Sequence, residues 1–153
     1  MSMGRILIAD DHDSLRRGLA QAVSEAGHEV DEAPNGNAAI EKLHEGFYDV
    51  VVSDLKMGGS TGIEVLKTTK SLHPNTAVIL MTAFGTVSTA VEAMKSGAFD
   101  FVQKPFEIEE MEVKIAKALE VRRMQNQIDY LRHAAGDIYS FDSIIGSSGA
   151  LEQ

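Results

Sequence analysis

Five residues have types and spacings that could do chemistry together: Asp10, Asp11, Asp54, Thr82 and Lys104. Each follows a short apolar run. Ile6-Leu7-Ile8-Ala9 leads into Asp10-Asp11, and Val50-Val51-Val52 leads toward Asp54. Ala77 to Met81 leads into Thr82-Ala83, and Phe99 to Gln103 into Lys104-Pro105. Three carboxylates gathered in one place repel one another and resist ionisation. A hard divalent cation and a nearby ammonium relieve that repulsion. Oxygen ligands of this kind suit Mg²⁺, which takes only a few carboxylates and keeps several waters. Lys104 would supply the ammonium as a compact point charge. A carboxylate in such a setting can attack a phosphoryl group and become an aspartyl phosphate. The cation and the lysine then neutralise the transferring oxygens, and Thr82 can donate a hydrogen bond to one of them. Asp54 stands alone on its strand and suits the nucleophile; Asp10 and Asp11, as a pair, suit the metal arm. The competing reading is that any single strand-end Asp caps a helix or closes a turn, and Asp13 is expected to be a plain cap.

The elements that must position these residues alternate. Apolar runs at 6–9, 50–52, 77–81 and 99–103, with a half-polar one at 28–33, predict five strands. Helical spacing predicts crossover helices over about 13–26, 36–45, 62–72 and 87–96. Runs this apolar on both faces belong in a parallel sheet covered by helices on each side. Right-handed crossovers make that a doubly wound α/β domain, whose ligand site lies beyond the carboxyl ends of the strands. All five candidate residues stand at such ends.

Composition removes other chemistries. The 153 residues include no Cys, which excludes disulfides, thiolate metal sites and cysteine nucleophiles. His12, His28, His44, His73 and His133 are scattered and suggest no metal site. With 14 Lys and Arg against 23 Asp and Glu, the net charge of −9 argues against nucleic acid or anionic membrane as a direct partner. No apolar run is long enough to span a membrane and the N-terminus does not read as a signal peptide, so a cytoplasmic protein is expected.

The motif order resembles the response-regulator receiver domain of two-component signalling over roughly residues 4–120. The match rests on the acidic pair, Asp54-Leu-Lys-Met, Met81-Thr82-Ala83, and the run Gly97-Ala98-Phe99-Asp100-Phe101-Val102-Gln103-Lys104-Pro105-Phe106. The resemblance implies a flavodoxin-like sheet of order 2-1-3-4-5 and an extended C-terminal helix. It implies that Asp54 accepts phosphate from a sensor histidine kinase. Asp11 would bind Mg²⁺ directly, Asp10 mostly through water, and the backbone carbonyl of Lys56 would be a further ligand. Thr82, Lys104 and the amide of Ala83 would contact the phosphoryl group. Phe101 would be a rotating switch aromatic, although strand aromatics are usually plain core. The family has a cis peptide where Lys104-Pro105 stands here. It also usually has Pro one residue after Met57; here Gly58-Gly59-Ser60-Thr61-Gly62 follows. Glycines free the backbone that proline fixes. A more mobile loop is therefore expected, with altered Mg²⁺ affinity or phosphoryl lifetime.

Beyond the sheet, a helix is expected from about 107 to 133, with Glu early and Lys or Arg late to suit its dipole. Val121, Met124, Ile128 and Leu131 follow a 3-4-3 spacing, an a/d seam over two heptads. That stripe either packs on its own domain or joins two copies as a short parallel coiled coil over 121–136. Residues 137–153, including Ile138-Tyr139-Ser140-Phe141-Asp142-Ser143-Ile144-Ile145-Gly146, resemble the start of the AAA+ ATPase domain in sigma-54-dependent activators of the NtrC type. They are expected to be a stub leading into an ATPase that this chain does not contain. No G-x-x-x-x-G-K-[ST] loop is present.

Together these readings imply a phosphorylation switch rather than an enzyme. Phosphate on Asp54 would draw Thr82, shift the fourth helix and turn Phe101 inward. The face made by the fourth helix, fifth strand and fifth helix would then repack a homodimer. A stand-alone receiver that signals by binding a partner is the alternative. A haloacid-dehalogenase-like phosphatase would need Asp two residues after its nucleophile, where this chain has Lys56.

Overall fold

The computed structural model describes residues 4–57, 59–83 and 87–145. The expectation of a mobile loop at Gly58, and the last eight residues of the expected stub, 146–153, lie outside them. Among the described residues, five strands and five helices alternate: β1 Arg5–Ala9, α1 Asp13–Glu25, β2 Glu29–Ala33, α2 Gly36–Glu45, β3 Val50–Asp54, α3 Gly62–Leu72, β4 Ala77–Thr82, α4 Val87–Lys95, β5 Asp100–Gln103 and α5 Ile108–Ile145. The strands form one parallel sheet in the order β2-β1-β3-β4-β5. The alternating runs imply the doubly wound parallel class, and the strand order is the flavodoxin-like one that the receiver resemblance implies.

Side chains of successive strand residues point to opposite faces, and each face has its own core. Ile6, Ile8, Val50, Val52, Ile79 and Met81 pack against Leu19 and Val23 of α1 and Met111 and Ile115 of α5. Leu7, Val51, Val78 and Leu80 pack on the other face with Leu43 of α2 and Val65 and Leu66 of α3. All six residues of β4 and all five of β3 are buried, which explains runs without polar alternation. β2 is one of the two edge strands, which accounts for its mixed composition Glu-Val-Asp-Glu-Ala.

The register sets the site. Ala9 pairs with Ser53, Asp54 with Met81, and Thr82 with Gln103. The ladder continues one step further, through Leu55 N–H to Met81 O at 2.9 Å and Lys104 N–H to Thr82 O at 2.7 Å. Asp10, Asp54, Thr82 and Lys104 therefore emerge along one edge of the sheet.

Two local expectations are corrected. Asp13 is not a cap: His12 occupies the N-cap of α1, without a side-chain cap, and Asp13 is the first helical residue. Its carboxylate instead takes Arg16 Nη1 at 2.8 Å, one turn on. The C-terminal helix does not end near 133; α5 passes Gly136 and reaches Ile145. A single helical glycine costs about 1 kcal/mol relative to alanine, a weakening rather than a stop.

The chain divides into two compact units, Met1–Arg122 and Arg123–Gln153. The first holds the sheet and its helices. In the second, Met124, Ile128, Tyr130 and Leu131 are exposed apolar side chains, and Val121 at the end of the first is also exposed. No helix among the described residues is long and apolar enough to cross a membrane.

Candidate functional site

The acidic pocket lies where the β1, β3 and β5 ends meet. Carboxylate oxygens of Asp10, Asp11 and Asp54 all lie within 4.8 Å of one another. Asp10 is fully buried, Asp54 nearly so, and Asp11 exposed. Lys104 Nζ reaches Asp54 Oδ2 at 3.2 Å and Asp10 Oδ2 at 3.2 Å. One ammonium therefore serves two buried carboxylates. Burial pushes the Asp54 carboxyl above the usual range; Lys104 opposes the rise and the Asp10 charge adds to it.

Local hydrogen bonds fix the chain at Asp10 and Asp54. Asp10 Oδ1 accepts the His12 N–H at 2.9 Å, so this aspartate also closes the turn into α1. Asp54 is the last residue of β3, and Ser53 Oγ donates to the Asp54 carbonyl at 3.0 Å. After Asp54 the chain turns into α3, which begins with a capping box between Thr61 and Glu64. Gly62 opens that helix against the β3 end. A Cβ there would collide with the Asp54 carbonyl oxygen and stand 2.8 Å from the Leu55 Cα.

Of the other expected site residues, Thr82 is buried at the end of β4 and Ala83 follows it, exposed. Ala83 lines a hollow with His12, Leu15, Lys104, Pro105 and Phe106, against the lysine of the acidic pocket. The Lys104–Pro105 peptide is cis. Lys56 lies in the β3–α3 connection, two residues past Asp54, with its side chain exposed. Phe101 is on β5, half-buried against the core shared with α2 and α3. Val121, Met124, Ile128 and Leu131 are remote from the pocket in sequence and lie on α5.

One positioning residue was not anticipated. Arg16 is buried on α1, and its Nη1 donates to the Asp10 carbonyl at 2.9 Å and to Asp13 Oδ1 at 2.8 Å. Its Nε pairs with Glu32 Oε1 at 3.0 Å. Burial disfavours the guanidinium charge, but the hydrogen bonds it donates to Asp13 and Glu32 more than offset that and keep its pKa above the ordinary value. The signal was an arginine three residues after Asp13, on the same helix face as Leu19 and Val23, where a free cation would not be buried.

The donor set fits a hard divalent ion. It consists of oxygens only, carries three carboxylates against one lysine, and keeps one carboxylate, Asp11, open to solvent. Those three side chains would hold Mg²⁺, and the bound ion would supply charge neutralisation beside Asp54.

Comparison with known proteins agrees with this geometry. Residues 6–116 match the family model described as the response regulator receiver domain. The regulatory protein AtoC of Escherichia coli is 39% identical over 150 residues, covering 98% of this chain and 32% of AtoC. The crystal structure of NtrX from Brucella abortus in complex with ADP superimposes with a TM-score of 0.81 at 28% identity, covering 85% of this chain and 30% of that one. The beryllofluoride-activated NtrC4 receiver domain dimer gives a TM-score of 0.72 at 35% identity, covering 77% of this chain and 98% of that one. This chain thus spans about a third of the length of AtoC and of NtrX. On the family model and the sheet order, the chain belongs to the response regulator receiver domain family.

Proposed function

We propose that this chain is a phosphorylation switch in which Asp54 takes a phosphoryl group from a sensor histidine kinase, with Mg²⁺ held by Asp10, Asp11, Asp54 and the Lys56 carbonyl. The observation that carries the reading is the shared lysine: Lys104 sits 3.2 Å from both Asp54 and Asp10. An ammonium in that place, already on one oxygen of the aspartate that would attack, is at hand to neutralise an incoming phosphoryl oxygen. Thr82 and the Ala83 amide, at the neighbouring strand end, would contact the other oxygens. The phosphoryl group adds strong acceptors and negative charge. It would bias an existing equilibrium by drawing Thr82 and repacking Phe101 and the α4–β5–α5 face. The chain would act as a regulatory acceptor rather than an enzyme, and in the cytoplasm.

The output would pass through a homodimer that uses the same face together with Val121, Met124, Ile128 and Leu131. Their exposure and heptad spacing support this, as do β-branched residues at the a positions with Met and Leu at d. In a longer protein the dimer would control an AAA+ ATPase and a DNA-binding region, as sigma-54-dependent activators of the NtrC type do. Sedimentation with and without beryllofluoride plus Mg²⁺ tests the switch. A shift in the monomer–dimer balance that requires Asp54 is expected. An unchanged dimer would refute coupling between site and seam, and an unchanged monomer would favour a stand-alone receiver.

A further inference from the structure

The connection from β3 to α3 is fixed at both ends by backbone hydrogen bonds. Leu55 N–H donates to Met81 O at 2.9 Å, and Gly62 N–H donates to Leu55 O at 2.9 Å. Thr61 is tied forward into the capping box with Glu64. Within the connection, Gly59 has φ +81°, a backbone region that other residues rarely adopt. A glycine gives up much conformational entropy when it is ordered, so contacts from outside the connection matter here.

They come from the start of α2. Ser60 Oγ donates to Asn37 Oδ1. A Cβ at Gly59 would stand 3.0 Å from Asn37 Nδ2, so the amide lies over the open face of that glycine. A Cβ at Gly36 would collide with the Ser60 carbonyl oxygen and stand 2.6 Å from its carbon, so the two backbones meet with no room for a side chain between them. The α2 end is itself fixed. Asn35 caps it by accepting the Ala38 N–H at 2.8 Å, and Ala39 and Leu43 are buried in the core shared with Val65 and Leu66 of α3. Asn37 is exposed and lies outside that core.

We propose that Asn37 is a positioning residue for the metal site, tethering the connection so that the Lys56 carbonyl can join Asp10, Asp11 and Asp54 on Mg²⁺. This rests on the phosphoacceptor reading above and adds a residue to it. A backbone ligand has no side chain to reorient, so the path of the chain alone sets its place. The tether at Ser60 removes paths that carry the carbonyl away from the acids. Without it, the ion would have to select a less populated arrangement, and apparent affinity would fall by that fraction.

The test is isothermal titration of the whole chain with Mg²⁺, paired with amide hydrogen exchange of the metal-free forms. Asn37→Ala and Ser60→Ala should each weaken Mg²⁺ binding about threefold to tenfold, the worth of one net hydrogen bond. The double variant should lose no more than either single one, because both remove the same contact. Ser60→Thr keeps the hydroxyl and should bind like the wild type. In the metal-free Ala variants, exchange should quicken at residues 56, 57 and 59–61, with unchanged rates in β1 and β3 and an unchanged unfolding midpoint. Asp11→Asn is the control for the metal reading itself. If the wild type binds no Mg²⁺, or Asp11→Asn binds it equally well, that reading fails and the proposal with it. If Asp11→Asn weakens binding and Asn37→Ala does not, or the two Ala losses add, the proposal alone is overturned. Faster exchange in β1 or β3 with a lower unfolding midpoint would also overturn it, by making Asn37 a residue of the fold at large.

Discussion

Lys104 Nζ stands 3.2 Å from Asp54 Oδ2, joining two residues fifty positions apart in sequence. The contact exists because β3 and β5 flank β4 in parallel register and end at the same level. The same ammonium contacts Asp10 at equal distance, so its charge is shared. It also stands where it would repel a cation bound to those carboxylates.

Lys104→Met should therefore tighten Mg²⁺ binding while impairing phosphoryl uptake. Removing one positive charge beside two ligands should raise Mg²⁺ affinity by roughly tenfold, ~1.4 kcal/mol. Isothermal titration against wild type measures this, and weaker Mg²⁺ binding in the variant would place the lysine in a supporting rather than a competing position.

Asp54→Asn should stabilise the domain when Mg²⁺ is absent. It removes one of three carboxylates whose oxygens lie within 4.8 Å, at a site only 8% exposed. A gain of about 1 kcal/mol would raise Tm by a few degrees. Thermal unfolding in EDTA should show the rise, and added Mg²⁺ should narrow the difference by stabilising the wild type more.

Gly62→Ala should damage the fold at the acceptor itself. The added methyl meets backbone atoms of Asp54 and Leu55, which cannot rotate away. A loss of about 1–3 kcal/mol is expected from chemical denaturation, with weaker Mg²⁺ binding from displacement of Asp54. A neutral outcome would mean that α3 can back away from the β3 end without affecting the site.

Stability should fall as pH drops through the histidine range, in part because of His28. Burial holds its folded pKa below the usual 6.5, so the unfolded chain takes up the proton first. The unfolded state then binds more protons, and stability rises with pH. This contribution is present above the unfolded value of 6.5 and is lost as pH falls from there toward the lower folded value. His28→Gln should flatten the slope of unfolding free energy measured between about pH 7 and pH 5.

Much of the positioning logic was legible in the sequence because parallel strands announce themselves twice. Val50-Val51-Val52 and Ala77 to Met81 are apolar without alternation, and each is followed by the polar residue that the strand delivers. Adjacent parallel strands that end level bring those residues together, so Asp10, Asp54, Thr82 and Lys104 could be grouped before any coordinates. The start of α1 was less legible. Asp13 has the right type for a cap, but Asp10 bonds the His12 N–H and Arg16 takes the Asp13 carboxylate, contacts that need the folded loop. Arg16 was missed because a charged residue on a helix is ordinarily solvated, and its buried partner is a backbone carbonyl that no sequence pattern marks. The end of α5 was misjudged because one glycine weakens a helix without terminating it.

The most direct test of the central claim is the chemical identity of the phosphorylated residue. Incubation with a small acyl phosphate and Mg²⁺, followed by borohydride reduction, converts a phosphorylated aspartate to homoserine that peptide mass mapping can place. The account predicts homoserine at position 54, none in EDTA, and none in Asp54→Asn. Homoserine at Asp10 or Asp11 in the wild type, or an undiminished yield in Asp54→Asn, would contradict it.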